Sequence, residues 1–148
     1  MITTVSLKDA LLDGAKEVFE TMVFMTLEES AEESPDINDE ALLGTITFKG
    51  NLEGCLGVCC SPQCAKMVAA NMLGMESTES LSEGDVNDAI GEIANMVMGA
   101  VKSRIQEQVG NVEVSIPSVV QGCRLRNSLG DYRKFFVTLR GVGYRFES

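Results

Sequence analysis

The chain has 148 residues, 45% of them hydrophobic, with a formal net charge of −10 and no histidine; that length supports one domain with a real core and is too short for two large ones. The acidic balance argues against a general nucleic-acid binder, whose surface must meet phosphates with Lys and Arg, and no run reaches the roughly 18–20 uninterrupted apolar residues of a membrane span. Lack of histidine removes the commonest general base and excludes Ser-His or Cys-His nucleophilic catalysis. The N-terminus lacks a basic segment followed by an apolar signal core, so a single domain over residues 1–148, soluble and cytoplasmic, is expected. Charge is unevenly spread: residues 1–120 hold 6 basic against 20 acidic side chains, residues 121–148 hold 6 against 2. Cys55, Cys59, Cys60, Cys64 and Cys123 are odd in number with no C-x-x-C pair, which points to free buried thiols rather than a zinc site or a secreted disulfide framework.

In chain order, Leu7, Leu11, Gly14/Ala15, Val18, Met22 and Met25 recur at three- and four-residue steps, so a long helix is expected from Ser6, its N-cap, to about Glu29. Residues 28–40 hold seven acids, no base and a proline, the composition of a loop in water. Two β-rich runs, 41–49 and 52–60, flank Gly50-Asn51, a two-residue hairpin signal. Ser61-Pro62 gives an N-cap with proline at the first helical position, and Gly74 closes a helix over 62–73. After an acidic, serine-rich connection over 76–85, Asp85 or Asn87 is expected to cap a helix running to about Val109, stopped by Gly110-Asn111. Strands are then expected over 112–116 and 118–121, broken by Pro117, and over 134–140 and 143–147. This order gives an α+β domain, with long helices packed on one face of a mainly antiparallel sheet.

The helix from residue 86 carries the candidate site. At about 100° per residue, Asp88, Glu92 and Asn95 fall at i, i+4 and i+7 on one stripe, continued by Gly99, Lys102 and Gln106. Val86, Ile90, Ile93, Val97, Val101 and Ile105 occupy the opposite side. Glycine inside a helix costs about 0.5–1 kcal/mol relative to alanine. Gly99, one turn beyond Asn95, therefore invites a reason: removing a side chain there lets a foreign surface approach the carboxamide.

Asp88-x3-Glu92-x2-Asn95, within Gly91-Glu-Ile-Ala-Asn-Met-x-x-Gly99-x-x-Lys102, resembles the active-site signature of the CheC/CheX/FliY phosphatases of bacterial chemotaxis. Met-Leu-Gly-Met at 72–75 and Ile-Pro-Ser-Val-Val-Gln-Gly at 116–122 extend the likeness, which covers Val5 to about Leu139. The resemblance implies a CheC-like fold and hydrolysis of the aspartyl phosphate of a CheY-like response regulator. It implies that Asn95 orients the attacking water and Glu92 pairs with the partner's active-site lysine, with Asp88, Glu92 and Gly99 in the contact. Asp88 either binds the partner or favours the first turn of the helix through its dipole. No cofactor of its own is implied; Mg2+ would be held by the phosphorylated partner. The family also implies a homodimer with a sheet continued across subunits, for which the edge 134–140 is suited.

Asp13-x3-Glu17-x2-Glu20 repeats the motif 75 residues earlier, a degenerate internal pseudo-duplication. Glu20 replaces the amide, and Phe24 stands where the second copy has Gly99, so one working site and a CheX-like rather than CheC-like member are expected. Two other readings compete. One is a non-catalytic interaction module that holds a two-component signalling partner. The other comes from Arg140-Gly-Val-Gly-Tyr-Arg-Phe-Glu147, which resembles the wing hairpin of DNA-binding response regulators, although no Arg-rich recognition helix precedes it and an acidic chain repels DNA.

Overall fold

The computed structural model of the protein describes residues 4–27, 40–123, 136–139 and 144–147. Along the chain follow α1 (Thr4–Val18), a π-helical turn (Phe19–Val23), β1 (Glu40–Gly50), β2 (Gly54–Cys60), α2 (Pro62–Leu73) and α3 (Glu83–Val109). Four strands complete it: β3 (Val112–Val114), β4 (Ser118–Cys123), β5 (Phe136–Leu139) and β6 (Tyr144–Glu147). All pairings are antiparallel, in the order β3-β1-β2-β6-β5. β4 joins β1 on the same edge as β3, farther toward the start of β1. The expected α+β class, with helices packed on an antiparallel sheet, is the one observed.

Alternation along β1 explains why α3 lies where it does. Leu42, Gly44, Ile46 and Phe48 point to one face, and their partners in β2 are Cys60, Val58, Leu56 and Gly54. Side chains two apart share a face, so this set forms one apolar floor, with Leu42, Ile46, Leu56, Val58 and Cys60 all at most 2% exposed. Helix α3 lies on this floor and also packs against α1 and α2. Contact is closest at Gly44: a Cβ there would stand 2.9 Å from Ile90 Cγ2 and 3.2 Å from the Ile90 carbonyl oxygen. Only glycine permits that approach without displacement. Gly44→Ala should therefore lower the unfolding free energy by about 1–2 kcal/mol through overpacking. Urea denaturation is the check, and an unchanged midpoint would show that α3 is free to ride up.

The helix ends show where side-chain chemistry and backbone agree. Helix α2 has the expected bounds: Ser61 Oγ accepts from Cys64 N at 3.2 Å, and Gly74 closes it at φ 68°. Helix α3 begins earlier than expected, because Ser82 rather than Asp85 or Asn87 is the N-cap. Asp85 N donates to Ser82 Oγ at 3.0 Å and Ser82 N donates to Asp85 Oδ2 at 3.1 Å, a reciprocal capping box that satisfies two otherwise orphaned donors. At the other end Gly110 is the expected stop, and Asn51 Nδ2 donates to the Val109 carbonyl at 3.0 Å.

Several expectations need correction. The first helix does not run from Ser6 to Glu29. It starts at Thr4, placing Ser6 inside it, and stops being α-helical at Val18. The π-helical turn widens the last coil, and Phe24 closes it at φ 60° and ψ 36°, its N–H donating to the Phe19 carbonyl. Met25 N donates to that same oxygen at 3.0 Å. The apolar period continued past Val18, but Met22 is 46% exposed, so its repeat was not a core signal. Gly50-Asn51 is not a two-residue turn: the last β1–β2 pair is Phe48 with Gly54, and Gly50 pairs with Val112 instead. The ladder with β3 claims the glycine that the hairpin would have used. The acidic stretch 28–39 lies outside the described residues.

Candidate functional site

The polar stripe of α3 faces outward along its length. Asp88, Glu92, Asn95, Gly99 and Gln106 are exposed and Lys102 is half-buried, whereas Val86, Ile90, Ile93, Val97, Val101 and Ile105 are at most 5% exposed. At 1.5 Å per residue, Glu92 and Asn95 are separated by about 4.5 Å along the axis, and Asp88 stands about 6 Å before Glu92. An acid and a carboxamide are thus neighbours on an open surface. Among the described residues no hydrogen bond or ion pair involves the side chains of Asp88, Glu92 or Asn95. A carboxamide with no internal partner keeps both donors and its acceptor for an incoming molecule.

The two glycines flanking this stripe do different work. Gly91 is buried, and a Cβ there would meet Val119 Cγ2 at 3.4 Å and Pro117 at 3.7 Å. It admits the start of β4 against the helix. Pro117 is held there because Ser115 bridges the break between β3 and β4: its N–H donates to the Thr47 carbonyl at 2.9 Å and its Oγ accepts from Thr47 N at 2.9 Å. Gly99 has nothing within 4 Å of the place a Cβ would occupy. Its missing side chain leaves open surface beside Asn95.

Helix α1 supports α3 along the other flank. A Cβ at Gly14 would meet Ala100 Cβ at 3.3 Å, and Arg104 Nη1 pairs with Glu17 Oε2 at 2.9 Å while also donating to the Ala100 carbonyl at 3.1 Å. Both partners of this pair are substantially exposed, so it contributes under about 1 kcal/mol. Its consequence is chemical: Glu17, the carboxylate of the earlier motif copy, is already engaged. Asp13 and Glu20 of that copy are exposed too. Sequence reasoning missed Arg104 as the partner of Glu17, and no local signal in the chain joins residues so far apart.

The thiols are not part of this surface. Cys55, Cys60 and Cys64 are buried and Cys59 is half-buried, and none of these four is in a disulfide; the side chain of Cys123 lies outside the described residues. A side-chain hydrogen bond with Cys64, and then burial, hold the Cys60 thiol well above its ordinary pKa, so it stays protonated and unreactive. Among the described residues no group of three or more acidic, Cys or His side chains is arranged to hold a metal ion. No helix among them is long and apolar enough to cross a membrane. Residues 140–143 of the wing-like motif lie outside the described residues; of the rest, β6 pairs with both β5 and β2 inside the sheet.

A long helix laid on an antiparallel sheet, with an acid and a carboxamide on its outer side, is built here on a CheC-like fold. The chain belongs to the chemotaxis phosphatase CheX family, whose family model matches residues 42–139. A CheC-like superfamily protein from Shewanella sp. PV-4 shares the fold at TM-score 0.80 and 24% identity, over 98% of this chain and 96% of that one. Chemotaxis protein CheX from Vibrio vulnificus does so at TM-score 0.78 and 22% identity, over 95% and 96%. The fold also matches a CheX–CheY–BeF3–Mg2+ complex from Borrelia burgdorferi at TM-score 0.67 and 13% identity, over 94% and 93%. No match is found among curated proteins.

Proposed function

We propose that the protein hydrolyses the aspartyl phosphate of a CheY-like response regulator, using the outer stripe of α3. The observation that carries this reading is the exposure of Glu92 and Asn95 side by side, with no partner among the described residues and with open surface at Gly99. Membership of the CheX family supports the reaction class. The complex that a structural relative forms with CheY and BeF3, a mimic of the phosphoryl group, supports the partner class.

The chemistry asks little of this chain. An acyl phosphate is intrinsically reactive, and its loose transition state needs a water placed in line more than a nucleophile. The Asn95 carboxamide enters the partner's phosphorylation pocket, accepts from the attacking water with its oxygen, donates its N–H toward the phosphoryl oxygens and so holds the water behind phosphorus. Water attack breaks the P–O bond to the aspartate, leaving a free carboxylate and inorganic phosphate. Glu92, about one turn earlier, pairs with the partner's active-site lysine and sets the docking register. Asp88 extends the acidic contact. Mg2+ belongs to the receiver's own pocket in this scheme. The earlier copy, Asp13, Glu17 and Glu20, is a silent degenerate duplicate: Glu20 has no amide donor and Glu17 is held by Arg104. β5, at the end of the strand order, is the edge through which a homodimer would extend its sheet. The setting is the cytoplasm, where response regulators act.

The direct test follows the decay of a phosphorylated CheY-like receiver with and without the protein. Acceleration at substoichiometric protein is expected; a stoichiometric complex without acceleration would instead favour the non-catalytic module. Glu92→Ala should weaken binding to the phosphorylated receiver about tenfold and lower turnover with it. Unchanged affinity in a titration would remove Glu92 from the contact.

A further inference from the structure

We propose that the groove between α3 and the end of α1, with Phe24 on the turn beside it, is a second contact for the response regulator. This inference rests on the function proposed above. The groove is lined by Glu17 and Thr21 on one side and by Gly99, Ser103 and Arg104 on the other. Gly99 therefore belongs both to the groove and to the stripe that carries Asn95. A receiver placed over Asn95 covers Gly99, about 6 Å farther along the helix, and so reaches the groove.

The size of the stripe favours such an extension. A specific protein interface buries about 800 Å² on each partner, more than a few side chains of one helix can offer. By helix geometry Gly91 lies about 60° to one side of the Asp88 direction and Ser103 about 60° to the other. The first side is filled by Pro117 and Val119. The second is the open groove.

Phe24 gives the groove a feature that a purely structural turn does not need. It is 74% exposed, and Met22 on the same turn is 46% exposed. Phe24 is also the only non-glycine residue with positive φ among the described residues, at a position that closes the π-helical turn. Glycine would satisfy this left-handed backbone without strain, so an aromatic ring kept there and held out to solvent points to contact with another molecule. Thr21, three residues earlier, lines the groove itself. Phe24 itself is not among the groove-lining residues, but it closes the turn that contributes Thr21 to them, and an exposed apolar ring near polar donors and acceptors is the composition of a protein-recognition surface.

Two variants test this. Phe24→Gly removes the anchor while relieving the backbone, and Ser103→Trp fills the groove from an exposed position. Each is expected to raise the Kd for a beryllofluoride-activated CheY-like receiver, and the KM for the phosphorylated one, about tenfold, with kcat within about twofold. The melting temperature of Phe24→Gly should not fall. Wild-type Kd in both variants overturns the proposal, as does a change in dimer content with receiver affinity intact, which would assign the surface to a second copy of the chain. Failure of the catalytic reading shows separately, as wild-type protein that binds the activated receiver without accelerating decay of the phosphorylated form.

Discussion

Asn95→Ala is expected to reduce the catalysed dephosphorylation of a CheY-like receiver by about a hundredfold or more while leaving affinity within about twofold. Removing a single preorganised polar group that acts on the reacting centre commonly costs 10²–10³ in kcat. The asymmetry between turnover and binding is the informative part. Asn95 is exposed, with no side-chain hydrogen bond among the described residues, so its loss should not disturb the fold, and Glu92 remains to dock. Single-turnover decay of the phosphorylated receiver together with a binding titration separates the two quantities. A variant as fast as wild type would sink the assignment of water positioning to this side chain.

Ile93→Ala should be severely damaging while leaving the outer stripe itself untouched, lowering stability by about 4 kcal/mol. Ile93 is fully buried, on the sheet-facing side of the same helix and next in sequence to Glu92. Truncation there removes transfer energy and leaves a cavity that the β1–β2 floor cannot fill, because the helix is already in contact at Gly44; such changes cost about 2–5 kcal/mol. For a domain of this size that corresponds to a fall in melting temperature of about 10 °C. Calorimetry checks it, and a loss below about 1 kcal/mol would mean that Ile93 does not anchor α3.

These two outcomes also mark how much of the site was written locally. The spacing of Asp88, Glu92 and Asn95 places them on one stripe of any helix, and the apolar residues between them fix which side is buried. The same holds for α2, whose N-cap Ser61, Pro62 and closing Gly74 are local signals that the backbone followed. Ends were less legible where two local signals competed. Ser82 and Asp85 both suit a helix start, and the reciprocal pair decided in favour of the earlier residue. At Gly50-Asn51 a strong hairpin signal lost to strands and helix ends arriving from more than 50 residues away: Val112 pairs with Gly50, and Asn51 caps α3.

The sequence by itself determined the helix, its polar and apolar sides, the paired acid and amide, and the α+β class, because each depends on the period of one element or on residues a few positions apart. Only the tertiary structure decided that Gly91 admits Pro117 and Val119 while Gly99 stays open, that Arg104 occupies Glu17, and that α1 breaks into a π-helical turn displaying Phe24. Those outcomes depend on which surfaces meet, and the energies that bring distant segments together are summed over the whole core rather than stored in any one stretch of chain.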